Sequence, residues 1–186
     1  MFKPFVALLA APLLLGNAPL AYVLDASASS VSAKVPFFGL SSKTATFPEM
    51  TGAVSITPDQ PDAALIDVTI DARALKAPDT ATLNRLRGEK FFWVEKYPSV
   101  RFVGTRLTMT GAKSGKVDGK LTARGVTRSE TLAVTFDTPP TSAAAGQAVT
   151  LNGTMTIDRR DYGMKSYQLI VGKQVTIRLK ARMVPN

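Results

Sequence analysis

The sequence predicts an all-β fold with one short helix, an antiparallel barrel or sandwich of about eight to ten strands. Three observations lead there. Apolar and polar residues alternate with a period of two along most of the chain, the alternating segments are parted by turns rich in Gly, Pro and Asp, and only one stretch carries helix start and stop signals. At 186 residues, 45% of them hydrophobic, the chain is long enough for one domain with a substantial core.

The N-terminus reads Met1-Phe2-Lys3, then an apolar run from Phe5 to Leu15, then small residues around Gly16-Asn17-Ala18. That is the layout of a secretory signal peptide, and the run is shorter than the ~20 apolar residues of a membrane span. The expectation is an exported, periplasmic chain with a leader over residues 1–21 and a domain over 22–186. Cleavage after Ala18 and cleavage after Ala21 both remain open.

Tyr22 to Asp25 and Ser29 to Pro36 read as the first strands, with Val31, Ala33 and Val35 on one face. The loop from Pro36 to Ser42 gathers Phe37, Phe38 and Leu40 around Gly39. Loops seldom expose three large apolar residues together, so this one is expected to fold over an opening. Thr51 to Thr57 alternates next, and Pro58 to Asp62 is a turn. Along Ala64 to Ala72, Ile66, Val68 and Ile70 share an oily face. Asp67 and Asp71 share the other face, about 13 Å apart at ~3.3 Å per residue, too far to cooperate as a catalytic pair.

The helix is predicted over Asp79 to Arg87. Asp79 caps it, Leu83 and Leu86 share a face and Gly88 ends it. It delivers the aromatic stretch Phe91-Phe92-Trp93 and Tyr97-Pro98, which needs a concave partner or a ligand. Ser99 to Met109, Val117 to Ala123, Glu130 to Asp137 and Val149 to Ile157 continue the alternation. Their inward faces include Val100, Phe102 and Gly104; Leu132, Val134 and Phe136; and Leu151, Gly153, Met155 and Ile157. The loop from Pro139 to Gln147 separates the last two. Lys173 to Met183 alternates most cleanly, with Val175, Ile177, Leu179, Ala181 and Met183 inward and Arg178, Lys180 and Arg182 outward. A barrel of about eight strands is either filled by side chains or open to one small ligand. Gly104 and Gly153 would leave room inside, or mark bulges.

The chain has no cysteine and no histidine. Disulfides, thiolate metal sites and the commonest general base are all absent, and no Gly-x-Ser-x-Gly elbow or phosphate-cradling loop occurs, so the chain reads as non-catalytic, with neither cofactor nor metal. The net charge is +9, and all of the excess lies in residues 101–186, with fourteen Lys/Arg against five Asp/Glu. That half either meets an anionic membrane surface or is a solvated outer face. Nucleic acid is not expected, because no aromatic ladder is interleaved with the charges.

Three ordered motifs carry a resemblance. The stretch Leu86-Arg87-Gly88 through Phe91-Phe92, Val94 and Lys96-Tyr97-Pro98 to Val100 and Phe102 is one, Gly119-Lys120-Leu121-Thr122-Ala123-Arg124-Gly125-Val126-Thr127 the second, and Asp158-Arg159-Arg160-Asp161-Tyr162-Gly163 the third. Together they resemble the YceI-like family of secreted, lipocalin-like, polyisoprenoid-binding proteins. Family members often carry a histidine in an early H-x-G segment, where this chain reads Phe37-Phe38-Gly39, so no role passes from that histidine. The resemblance implies a lipocalin-like barrel open to a long apolar chain, an isoprenoid or isoprenoid quinone, carried or sequestered without catalysis. A filled barrel using its basic face on a membrane or protein partner is the alternative, and an enzyme acting on a lipid or quinone is the second. Oligomeric state is left open, a homodimer included.

Candidate tail contacts are Phe37, Phe38, Leu40, Leu83, Phe91, Phe92, Trp93, Phe102, Phe136, Met155 and Met164. For the mid-strand members, ordinary core packing competes with this role. Arg159 and Arg160 are candidate headgroup contacts at the barrel mouth, with local ion pairing as the competing role.

Overall fold

The computed structural model describes residues 20–57, 60–140 and 146–186. The predicted leader therefore lies outside the described residues except for Leu20 and Ala21, as do Pro58-Asp59 of the first predicted turn and the middle of the loop before Val149.

Among the described residues, ten strands and one α-helix follow in order: β1 (Leu20–Leu24), β2 (Ser30–Phe37), β3 (Ser41–Phe47), β4 (Met50–Thr57), β5 (Gln60–Asp71), α1 (Thr80–Arg87), β6 (Ser99–Met109), β7 (Ser114–Ala123), β8 (Val126–Phe136), β9 (Val149–Asp158) and β10 (Gln174–Pro185). Every pairing is antiparallel. The order β1-β4-β5-β6-β7-β8-β9-β10 closes on itself because Val23 pairs with Val184, giving an eight-stranded barrel. Closure leaves no open edge within that eight-stranded ring.

The other two strands explain how one end is built. β10 is long enough to pair with β1 through Met183–Pro185 and with β2 through Thr176–Lys180. A 3-10 turn at Ala26–Ala28, capped by the Asp25 carboxylate, parts β1 from β2. β2 pairs with β3, and β4 with β5, so β3 splays away from β5. The chain after β5 fills that gap: Thr46 and Lys76 bridge, and α1 follows. Helix, aromatic stretch, β2–β3 turn, β7–β8 turn and the segment between β9 and β10 thus share one end of the barrel, called here the helix end.

The helix forms as its sequence dictates. Asp79 accepts a hydrogen bond from the Thr82 backbone N–H at 2.7 Å, and Gly88 closes the helix by donating to Asn84 and Arg85. The three motifs of the sequence then meet. Arg124 and Gly125 form the two-residue turn between β7 and β8 with φ of 51° and 73°, the left-handed pair that such hairpins favour. The Arg124 guanidinium donates to the Gly163 carbonyl and, at 2.8 Å, to the Glu89 carbonyl. Gly163 has φ of 77°, and a Cβ there would lie 2.6 Å from the guanidinium, so glycine is required twice over.

Two apolar clusters overlap inside. One joins Phe102, Leu107, Val117, Leu121, Leu132, Val134, Phe136, Met155 and Tyr162 within the barrel, and the other packs Val31, Phe47, Met50, Leu75 and Val94 beneath α1. Tyr162 is fully buried and donates its hydroxyl to Glu130 at 2.7 Å, and burial pushes its pKa up. Gly104 marks a shift of register between β6 and β7, so its bulge role holds. A Cβ on Gly104 would meet Val117 at 2.6 Å and one on Gly153 would meet Leu179 at 2.9 Å, so these glycines serve close packing rather than ligand room.

Candidate ligand cavity

The barrel holds a cavity of about 670 Å³, well inside the ~300–1,000 Å³ span of small-molecule sites. Its walls are the inward faces read from the alternation, among them Val31, Ala33 and Val35 of β2, Ile66, Val68 and Ile70 of β5, and Val175 through Met183 of β10. Ile66, Val68, Leu151, Ile177, Leu179 and Ala181 line this cavity and remain only half-buried. Their residual exposure is to the void, so the barrel is open rather than filled.

Polar groups on this wall are few. Lys43, Thr44, Thr82 and Arg159 line it at the helix end, and Tyr22 lines it from β1. Lys43 shares its strand face with buried Ala45 and Phe47, so its stem enters the cavity, while its Nζ lies 3.0 Å from Asp79 Oδ2 and 5.5 Å from the Phe37 ring centre. Asp79 also accepts from the Thr82 hydroxyl at 2.8 Å. The Thr82 backbone N–H first, and the Lys43 ammonium next, hold its carboxyl at about 2. Lys43 and Asp79 thus clasp β3 to the start of α1 beside the cavity.

Arg159 is 2% exposed, and among the described residues no ion pair joins it to a carboxylate. Its guanidinium donates to four backbone carbonyls: Gly172 at 2.9 Å, Val171 at 2.8 Å, Ser166 at 2.9 Å, and Met164. It also sits 5.9 Å from the Phe91 ring centre. The neighbouring Asp158 carboxylate turns instead to Arg160, whose guanidinium holds it at about 2. Burial draws the Arg159 pKa down. The arginine therefore folds the 164–172 segment around itself and leaves a positive charge on an apolar wall.

Of the residues predicted for the site, the fold brings Phe91, Phe92, Phe102, Phe136, Met155, Met164 and Arg159 together on the cavity wall. The others lie off it. Leu83 packs in the cluster beneath α1, while its neighbours Thr82 and Leu86 reach the cavity. Trp93 has φ of 50°, which turns it out of line with Phe92, and its ring packs edge-on to Tyr97 at 5.8 Å with Lys96 Nζ 4.5 Å away. Phe37 ends β2, and Phe38 and Leu40 stand exposed on the β2–β3 turn rather than folded over an opening. Arg160 faces outward in its ion pair with Asp158. Sequence reasoning missed Lys43 as a wall residue. The signal was there in its even spacing from Ala45 and Phe47, the lone charge on that face.

Comparison with known proteins agrees with this architecture. A family model described as the YceI-like domain matches residues 22–183. A UPF0312 protein of Pseudomonas savastanoi is 32% identical over 146 residues, covering 77% of this chain and 76% of its own length. One of Pseudomonas putida F1 is 31% identical over 71% of this chain and 69% of its own. Among solved structures, BcnA of Burkholderia cenocepacia superposes with a TM-score of 0.75 at 23% identity, over 86% of this chain and 98% of that one. A polyisoprenoid binding domain from Saccharophagus degradans, implicated in plant cell wall breakdown, superposes with a TM-score of 0.70 at 15% identity, over 90% and 99%. With the family model spanning nearly the whole domain and the barrel shared with these structures, the chain belongs to the YceI-like family.

Proposed function

We propose that the cavity holds one long apolar chain of the isoprenoid class, carried or sequestered rather than chemically changed. The observation that carries this reading is the half-buried apolar lining: inward Ile, Leu, Val and Ala side chains that a filled core would have covered. A tail covering them gains roughly 0.8 kcal/mol per buried methylene. The head of the ligand belongs at the helix end, where Lys43, Thr44, Thr82 and Arg159 gather on the wall. Two cationic side chains there suit a phosphate, a pyrophosphate or the carbonyls of a quinone. The S. degradans domain, named for polyisoprenoid binding, shares this fold and supports the choice of tail.

Export accompanies this reading. Leu20 and Ala21 pair with Ile56 and Ser55, so cleavage after Ala18 keeps the whole of β1, whereas cleavage after Ala21 removes two of its residues. A periplasmic carrier would start at Pro19.

Calorimetric titration of delipidated protein with a polyprenyl phosphate and with an isoprenoid quinone tests the proposal. Saturable one-to-one binding with a negative heat-capacity change is expected, the mark of apolar burial. No heat with either ligand, or binding that leaves the heat capacity unchanged, would overturn it.

A further inference from the structure

The described residues leave five large apolar side chains exposed, and four of them, Phe38, Leu40, Tyr167 and Leu169, lie in two segments at the helix end. Leu40 is 99% and Leu169 100% exposed. Scattered single apolar residues on a surface need no explanation, but these are held side by side. The Phe38 N–H donates to the Ile170 carbonyl at 2.8 Å, the Gly172 N–H to the Pro36 carbonyl at 2.9 Å, and Phe37 bridges Val171. Within the second segment the Ile170 and Val171 N–H groups both donate to the Tyr167 carbonyl, so that tip is fixed by its own backbone.

Within the two tip segments themselves the charge has one sign. Residues 37–43 and 163–173 contain three lysines, Lys43, Lys165 and Lys173, and no carboxylate. Lys43 is engaged with Asp79, and Lys90 stands 5.4 Å from the Tyr167 ring centre from the aromatic stretch.

From this arrangement we infer that the tips at residues 38–40 and 167–170 form a docking surface for an anionic lipid bilayer, with Leu40 and Leu169 entering the hydrocarbon and the exposed Lys90, Lys165 and Lys173 facing the headgroups. A protein partner fits less well. Four side chains fall short of the ~800 Å² per partner that a stable interface buries. A bilayer gains from each buried apolar tip and attracts each nearby lysine. The docking goes beyond occupancy of the cavity and stands without it. It has a consequence for that reading all the same, because Lys43 and Val171, beside the tips, line the cavity, so docking brings that end against the membrane.

The chain has no cysteine, so Leu40→Cys and Leu169→Cys each accept one environment-sensitive fluorophore, with Lys116→Cys on the outer wall as control. On phosphatidylcholine vesicles containing phosphatidylglycerol, the labels at 40 and 169 should shift to the blue and be quenched by brominated lipid, while the label at 116 should not. In sedimentation with the same vesicles, Leu40→Asp with Leu169→Asp should lower affinity roughly tenfold or more for each leucine withdrawn. Lys165→Gln should lower it about fivefold, less at high salt. Uptake of a polyprenyl phosphate from solution by calorimetry should survive the leucine changes. Vesicle binding with no uptake by any form sinks the cavity reading and leaves the docking intact. Absent vesicle binding, binding indifferent to Leu40 and Leu169, or binding lost only on reversing Arg178, Lys180 and Arg182 overturns the docking surface.

Discussion

Replacing Ala181 by phenylalanine separates an open barrel from a filled one by the sign of its effect. Ala181 faces inward on β10 opposite Leu151 and is half-buried against the cavity. In a filled core the larger ring would have no room and would cost about 1–3 kcal/mol. In the open barrel the ring enters the void and covers on the order of 100 Å² more apolar surface than the methyl group it replaces. At ~25 cal/mol per Å² that is about 2.5 kcal/mol, reduced by roughly 0.5–1 kcal/mol of lost rotamer freedom. The ligand-free variant should therefore unfold in urea at the wild-type midpoint or above it, by up to about 2 kcal/mol. The same ring occupies tail space, so affinity for a polyprenyl phosphate should fall. Destabilisation with unchanged lipid uptake would show instead that this position is packed and remote from the ligand.

Other expectations follow from particular contacts. Arg159→Met keeps the bulk but leaves four carbonyls without their donor, and losing even two charged hydrogen bonds at ~1.5 kcal/mol each predicts at least about 3 kcal/mol of destabilisation by chemical denaturation. Gly119→Ala would place a Cβ 2.4 Å from the Val103 carbonyl oxygen, and should cost about 1–3 kcal/mol while the surface variant Thr131→Ala costs far less. Lys43→Met should weaken binding of a polyprenyl phosphate more than of an uncharged quinone, measured by parallel titrations; equal losses would remove Lys43 from the headgroup. Acid sensitivity has a definite window. Asp79 and Asp158 titrate at about 2 in the folded chain against an ordinary 3.8, so their contribution is fully present above about pH 4 and is lost as pH falls through about 2. With no histidine in the chain, the urea midpoint should hold steady between about pH 5 and 8.

The sequence made the barrel wall legible wherever period two was unbroken. β10 is the clearest case, because all five inward residues predicted there line the cavity. The helix was equally plain, since Asp79 and Gly88 act locally and need no tertiary context. β3 escaped notice because Ser41-Ser42-Lys43-Thr44 puts polar residues on both faces, and the charge on the inner face is tolerated only where the wall meets Asp79 across the splayed gap. The β2–β3 turn was misjudged for a related reason. Exposed aromatics in a loop suggest burial when the chain is imagined alone in water, whereas here they stand at the tip of a hairpin tied to the 167–172 segment. Within the aromatic stretch, Phe91 and Phe92 reach the cavity and Trp93 does not, because Trp93 is itself left-handed within an irregular segment and that backbone turns its own side chain aside. No periodicity encodes that. Arg159 and Arg160 looked equivalent in the sequence, yet a 3-10 turn sends one inward to four carbonyls and the other outward to Asp158.

Native mass spectrometry of the protein purified without detergent decides whether the open barrel is occupied by one long apolar molecule. A population heavier than the polypeptide by a single lipid mass is expected, with the lipid released into organic solvent, identified there as a species with an isoprenoid tail, and taken up again one-to-one when added back. A chain that travels only at its polypeptide mass, yields no lipid on extraction and takes up none when offered would contradict it.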